Sequence, residues 1–418
     1  MRNYQSRKKN WYVISMDYLP INFNFISPKL IFGRGKIGEI GKEVLSLLKG
    51  KDFKNPKVFL VTGKSSLKKS GYLNKINMIL TKNGISSYLY DKAVKEPTTE
   101  IINHGKEYAI EKNCQLVIGI GGGSVMDTAK AIAGLVSNGG VVEEYHAEKE
   151  FIKPPLPFIL IPTTSGTGSE ITNNAVIKDE KRGIKKSIRG LLASTALLDP
   201  ELTIPLPKKY TAYSGADALV QAIESLVSKS ANFISDFFAR EAIKLLADTL
   251  PKVIKDLENI VLRERMMLGS LFDALSFSNS KLGAVHGFAH PIGIKFDIPH
   301  GLICGMLLPY VMEYNLEVDA TVKKYAWIAQ TLSDQDIIIG YGSCPKKLPK
   351  NNINKARWAI EKLKDIFNYI GIPLRLSEAG IKESDLDDIV QDTKGSSLDN
   401  NPRDTTKDSL RQILQNAL

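Results

Sequence analysis

Three of the chain's five histidines fall within fifteen residues, in Gly283-Ala284-Val285-His286-Gly287-Phe288-Ala289-His290-Pro291 and its continuation Pro299-His300-Gly301. Imidazole is the commonest neutral ligand of divalent transition metals, and a catalytic metal site takes about three protein ligands while leaving a position for a substrate oxygen. His286 and His290 are four residues apart, so on a helix they project from one face. Pro291 is expected to end that helix, and a loop carrying Gly293, Pro299 and Gly301 then brings His300 back. The competing reading, three separately hydrogen-bonded core histidines, suits a lone histidine better than this trio. A carboxylate is still needed. The best placed is Asp217, where a helix begins, in Ser214-Gly215-Ala216-Asp217-Ala218-Leu219-Val220-Gln221-Ala222-Ile223-Glu224. Alone it could equally be a carboxylate facing the helix dipole.

Such side chains need a rigid frame, and 418 residues with 43% apolar content are enough for two domains with sizeable cores. The expected division is an N-terminal tail at 1–22, an α/β dinucleotide-binding domain at 23–200 and a helical metal- and substrate-binding domain at 201–418. In the first half, strands are expected over 26–33, 58–61, 87–90 and 115–120, separated by helices over 36–48, 73–80 and 100–112. That alternation implies a Rossmann-like parallel sheet, which binds ligands at the carboxyl ends of its strands. At one such end stands Gly119-Ile120-Gly121-Gly122-Gly123-Ser124-Val125-Met126-Asp127-Thr128-Ala129-Lys130. Glycines let backbone amides approach a pyrophosphate, and the helix that follows offers its free N–H groups. A glycine run alone is also compatible with a plain tight turn, and Asp127 and Lys130 with a structural salt bridge. Beyond residue 200 strand-like runs are scarce. Ile234, Phe237, Phe238, Ala242 and Leu245 keep helical spacing, and 354–370 and 404–417 read as amphipathic helices, so an all-α C-terminal domain is expected. Residues 340–351 read as a loop.

Composition narrows the partners. Cys114, Cys304 and Cys344 are odd in number and widely spaced, which indicates neither a disulfide framework nor a zinc knuckle, and a reducing cytoplasm is expected. No signal-peptide core and no bilayer-length apolar run is present, so no membrane association is expected. The net charge of +11 comes from scattered lysines without a zinc finger, an RNP-type motif or a basic stripe, and nucleic acid is not an expected partner. The basic start at Arg7-Lys8-Lys9 reads as a solvated tail.

With these residues in view, a resemblance becomes specific. The Asp217 segment is similar to the Gly-x-Asp-Ala-x-x-His-Ala-x-Glu helix of the iron-containing (group III) alcohol dehydrogenases. The family's Gly-Gly-Gly-Ser-x-x-Asp-x-Ala-Lys motif is matched in full at 121–130, and Leu198-Asp199-Pro200-Glu201-Leu202-Thr203 and Asn401-Pro402-Arg403 resemble two further family passages. The resemblance covers roughly residues 23–418 and implies the dehydroquinate synthase-like, iron-containing alcohol dehydrogenase fold. Carried over position by position, it implies Asp217, His286 and His300 as ligands of a divalent metal, Fe or Zn, and His290 as the residue passing or orienting a proton beside the substrate. Gln221 stands where the family has its second ligand; its amide oxygen is a weaker and harder donor than imidazole, so affinity for Fe or Zn should fall and oxygen-preferring metals gain ground.

The resemblance further implies cofactor contacts from Gly121, Gly122, Gly123, Ser124 and Asp127, and from Thr163, Thr164 and Thr167 of a second loop at 160–170. NAD-preferring relatives place an aspartate at the position of Gly63. Its absence removes a charge that would repel a 2′-phosphate, and Lys64, Ser65 and Ser66 offer donors to one, so NADP(H) is expected over NAD(H). The implied activity is that of an NAD(P)-dependent, metal-containing alcohol dehydrogenase or aldehyde reductase acting on a small alcohol or aldehyde, organised as a homodimer or higher homo-oligomer. The alternative is a metal-independent reductase of the maleylacetate reductase kind, which Gln221 favours. A dehydroquinate synthase-like cyclase fits the ligand spacings poorly, and a non-catalytic binding protein fits the complete cofactor motifs poorly.

Overall fold

The computed structural model describes residues 25–50, 53–334 and 347–418. The expected tail at 1–22, Cys344 and the expected loop over 340–346 lie outside the described residues. In the first half the order is β1 (Lys29–Phe32), α1 (Ile40–Leu47), β2 (Lys57–Gly63), α2 (Ser66–Lys69), α3 (Tyr72–Lys82), β3 (Ser86–Ala93), α4 (Thr99–Glu111), β4 (Leu116–Gly121), α5 (Gly123–Asn138), α6 (Val142–His146), β5 (Phe158–Pro162), β6 (Asn174–Asp179), β7 (Ile184–Arg189) and β8 (Thr195–Leu198). Six strands form one parallel sheet in the order β1-β8-β5-β4-β2-β3. Its central strands are nearly unbroken Val, Ile, Leu and Phe because helices cover both faces. Phe59, Val61 and Val117 point to the layer containing α4 and α5, whereas Val58, Leu60, Leu116 and Ile118 point to that containing α1 and α3.

The strands β5 and β8, the hairpin β6–β7 and the short helices α2 and α6 are not anticipated from the sequence. The strand β5 was absorbed into the loop that follows it. The antiparallel hairpin β6–β7 is rich in lysine, but Ala175, Ile177 and Asp179 are buried alternately and Gly183 turns the chain at φ 65°.

The second half is helical: α7 (Lys208–Val227), α8 (Phe233–Lys255), α9 (Ile260–Ser280), α10 (Ala284–Phe296), α11 (His300–Tyr314), α12 (Asp319–Asp334), α13 (Asn352–Tyr369), α14 (Leu386–Asp392), α15 (Ser396–Asp399) and α16 (Lys407–Ala417). Helix α7 is buried at every residue from Gly215 to Val227, so it forms the axis on which α8, α9 and α11 pack. Asp217, Gln221 and Glu224 are buried with it, and buried polar groups require partners.

Pro291 does not end α10, which runs on to Phe296. A proline there removes one hydrogen bond and crowds the carbonyl of Gly287. Burial of Phe288, Ala289 and Ile292 around it holds the turn, and the helix stops instead at Asp297, whose φ of 51° is left-handed. Gly293 is therefore helical, the connection is only Asp297–Pro299, and His300 opens α11.

Candidate active site

Asp217, Gln221 and Glu224 share one face of α7 by their spacing of four and seven, and two glycines allow other helices to reach that face. A Cβ on Gly301 would lie 2.0 Å from the carbonyl oxygen of Tyr213 and 3.1 Å from Cβ of Asp217, so α11 begins against the backbone of α7. A Cβ on Gly283 would lie 2.8 Å from Oε1 of Glu224, so α10 begins there too. Glu224 accepts the backbone N–H of Val285 at 2.7 Å through Oε1, and its Oε2 lies 2.6 Å from Nδ1 of His286. That pairing assigns the proton to Nδ1 and turns Nε2 inward, the arrangement by which a carboxylate orients a ligating imidazole. Asn401 supports the same helix start, accepting from the N–H of Ala284 and donating to Oδ1 of Asn315.

The outcome is a ring of potential ligand atoms. Nε2 of His286 and Nε2 of His300 lie 3.5 Å and 3.7 Å from Oδ1 of Asp217, and Sγ of Cys304 lies 3.8 Å from Nε2 of His286. These four atoms are all within 4.8 Å of one another. Oδ1 of Asp217 and Oε1 of Gln221 are buried without a hydrogen-bond partner among the described residues, while Nε2 of Gln221 donates to Oδ2 of Asp217 at 3.3 Å. A buried carboxylate oxygen flanked by nitrogens beyond hydrogen-bond reach fits a cation between them. The His290 ring, 5.5 Å from that of His300, opens to solvent beside this cluster.

The protonation pattern follows from burial and neighbours. Burial pulls the pKa of His286 down, but Cys304, Asp217 and Glu224 outweigh it and raise it well above the ordinary value. Burial takes His300 down to about 4 and pushes the Cys304 thiol up to about 12. Burial opposes ionisation of Asp217, yet His300 and His286 hold its pKa below the usual range. For His290 the cleft walls, then His300 and Lys185, keep the ring neutral at pH 7.

The glycine run lies at the carboxyl end of β4, where Gly121 accepts the N–H of Thr163 at 2.9 Å from the end of β5. Added Cβ atoms on Gly122 and Gly123 would lie 3.6 Å from Thr164 and 2.7 Å from Thr167, so the two loops face each other closely. Gly122 caps α5 without a side chain, which leaves first-turn N–H groups for an anionic ligand. Ser124 donates its hydroxyl to the carbonyl of Lys95. Both Asp127 oxygens are engaged, one by Ser169 at 2.6 Å and the other by the N–H of Val176 at 3.0 Å; buried Lys130 reaches Asp127, Thr172 and the carbonyl of Asn174. Gly63 ends β2, next to β4 in the sheet, and Lys64 and Ser65 are exposed just beyond it. The second loop meets the helical half directly, since a Cβ on Gly166 would touch Ser214, three residues before Asp217.

Residues 27–200 match the profile described as iron-containing alcohol dehydrogenase, and residues 211–418 match that of the Fe-containing alcohol dehydrogenase family, C-terminal. The chain belongs to the iron-containing alcohol dehydrogenase family. Among its relatives, the NAD-dependent methanol dehydrogenase of Bacillus methanolicus is 32% identical, over 94% of this chain and 99% of the relative. The sulfoacetaldehyde reductase of Bilophila wadsworthia is 34% identical over 93% of this chain and 96% of its own length. The crystal structure of a 1,3-propanediol oxidoreductase superposes with a TM-score of 0.86 at 30% identity, covering 95% of this chain and all of the other. This member of the family is therefore an oxidoreductase interconverting alcohols and aldehydes with a nicotinamide cofactor, and the relatives do not favour the maleylacetate-type alternative. The family implies a divalent metal beside the dinucleotide.

Sequence reasoning gave no role to Glu224 or to Cys304. Both were within reach of it: Glu224 is seven residues beyond Asp217, and Cys304 is four beyond His300, so each shares a helical face with a residue already singled out.

Proposed function

We propose that this alcohol dehydrogenase takes NADP(H) in preference to NAD(H) and holds a divalent metal with Asp217, His286 and His300 against a small alcohol or aldehyde. The observation that carries this reading is the convergence of the three side chains on one buried, unpartnered carboxylate oxygen. When bound, the metal supplies Lewis acidity toward the substrate oxygen, and the nicotinamide supplies or accepts the hydride. Glu224 keeps Nε2 of His286 pointed inward, and Gln221 holds Oδ2 of Asp217. His290, neutral and open to the cleft, orients the substrate hydroxyl or passes its proton. Gly121, Gly122, Gly123 and Ser124 bring backbone donors to the diphosphate, with Thr163, Thr164 and Thr167 opposite. Asp127 serves cofactor binding through Ser169, by fixing the second loop.

Support for NADP(H) comes from Gly63, which puts no carboxylate beside the adenosine ribose, and from exposed Lys64 and Ser65. Against it stands the relative of Bacillus methanolicus, an NAD-dependent methanol dehydrogenase. Consumption of NADPH and NADH should be followed against a panel of aldehydes and ketones, with Fe, Zn or Mn added or a chelator present. The expected result is chelator-sensitive turnover with higher kcat/KM for NADPH; equal kcat/KM for the two cofactors removes the NADP(H) preference, and indifference to chelator removes the metal. No helix among the described residues is long and apolar enough to cross a membrane. A reducing cytoplasm suits the buried free thiols Cys114 and Cys304. Self-association has a seam at β1, a sheet edge paired with β8 alone among the described residues, and a single-chain mass in light scattering would exclude it.

A further inference from the structure

We infer that Cys304 supplies the fourth protein ligand of the metal, in place of an amide oxygen from Gln221. The inference rests on the metal reading above and concerns which atoms complete the shell.

Cys304 sits on α11 one turn beyond His300, so thiol and imidazole address one point, and it is fully buried in the same cluster as Asp217. Ligand bonds of about 2.0–2.1 Å for nitrogen or oxygen and 2.3 Å for sulfur, arranged tetrahedrally, place ligand atoms about 3.3–3.6 Å apart. The separations here are 3.5 Å and 3.7 Å from Oδ1 of Asp217 to the two imidazoles, and 3.8 Å from Sγ to Nε2 of His286. These three separations lie within a few tenths of an ångström of such edges, and all four atoms lie within 4.8 Å of one another. Gln221 is disposed differently. Its amide nitrogen is committed to Oδ2 of Asp217, and its unpartnered Oε1 is a neutral donor that leaves one charge of a buried dication unanswered, which a thiolate does not.

Two consequences follow. A thiolate restores the softness lost where Gln221 replaces an imidazole, so the site selects Zn(II), Fe(II) or Co(II) over Mg(II) and Ca(II), opposite to what Gln221 alone suggests. It also balances charge: the Asp217 carboxylate and the Cys304 thiolate together neutralise a dication inside the protein. On binding, the S–H proton leaves to solvent as the metal–sulfur bond forms, with no change of oxidation state. With four protein ligands, a substrate oxygen would have to bind by expansion to five-coordination, which catalytic zinc sites tolerate.

The test loads the metal-free protein with Co(II) and records its absorption spectrum. A thiolate-to-Co(II) charge-transfer band in the near ultraviolet is expected, one per bound ion, lost in Cys304→Ser and kept in Gln221→Ala. X-ray absorption of the Zn-loaded wild type requires no variant to fold, and should show one sulfur at about 2.3 Å. Stoichiometric Co(II) binding with ligand-field bands but no thiolate band, or a zinc shell without sulfur, overturns the Cys304 assignment and leaves the metal site standing. No Co(II) or Zn(II) binding at all overturns both.

Discussion

At the scale of single residues, the carboxylates of this molecule divide by whether anything answers their charge. Glu224 is answered by Val285 and His286, and its value lies in aiming an imidazole. Glu224→Gln keeps the volume and weakens the pairing to Nδ1, so metal affinity should fall by about 10–100-fold with the helical content unchanged. Competition with a chelator measures this, and wild-type affinity would mean the ring is held by packing alone. Asp273 is the opposite case: fully buried, both oxygens without a partner among the described residues, its pKa raised well above the usual value by burial and by Asp217. The unfolded chain then binds fewer protons than the folded one above about pH 4, so this group's effect on stability worsens as pH rises toward the raised value. Asp273→Ala should stabilise by about 1–3 kcal/mol at neutral pH, with the gain shrinking toward pH 4. A thermal melt at both pH values decides it.

At the scale of elements, the site depends on how closely helices begin against one another. A methyl group on Gly301 meets a backbone oxygen that no rotamer change can move, so α11 must shift relative to α7 and carry His300 with it. Displacement of about 1 Å at a catalytic group costs on the order of 100-fold, and Gly301→Ala should lower kcat/KM by that much and reduce metal content. An unchanged enzyme would show the helices slide freely. Asp127 ties α5 to the loop at Ser169 and to β6 at Val176 while facing buried Lys130. Asp127→Ala leaves that ammonium short of its partner and should cost about 3–5 kcal/mol, read from denaturant unfolding, with a raised KM for the cofactor. These elements also explain what was legible in the sequence. Strand–helix alternation and the glycine run were readable because apolar periodicity is local; uncommon residue types announced the cluster of His286, His290 and His300, while the choice of Asp217, His286 and His300 as ligands came only with the family resemblance. The hairpin β6–β7 was not, because its lysines mask an alternation only three residues deep on its buried side. The continuation of α10 past Pro291 was not, because surrounding burial overrode a local breaker. The part played by Gly301 depends on a backbone 88 positions away at Tyr213, a distance that no periodicity encodes.

At the scale of the whole molecule, metal binding, protonation and folding are one linked equilibrium, because the ligands come from the middle of α7 and the first turns of α10 and α11, which meet only in the folded chain. Without metal, His286 carries a proton shared among Glu224, Asp217 and Cys304, and its folded pKa is raised despite burial. A raised imidazole pKa contributes stability that is complete below the unfolded value near 6.5 and is lost as pH climbs through the folded value. The metal needs Nε2 bare, so it must displace that proton, and its apparent affinity rises as protons grow scarce. For each proton released, the stabilisation by a fixed excess of metal should grow by about 1.4 kcal/mol per pH unit. Between pH 6 and pH 8 the metal-free protein should therefore lose melting temperature through this group while the increment on adding Zn(II) widens. Melts with and without Zn(II) across that range provide the measurement, and calorimetry in buffers of different ionisation enthalpy counts the protons directly. An increment that stays flat would mean that neither His286 nor Cys304 gives up a proton to the ion.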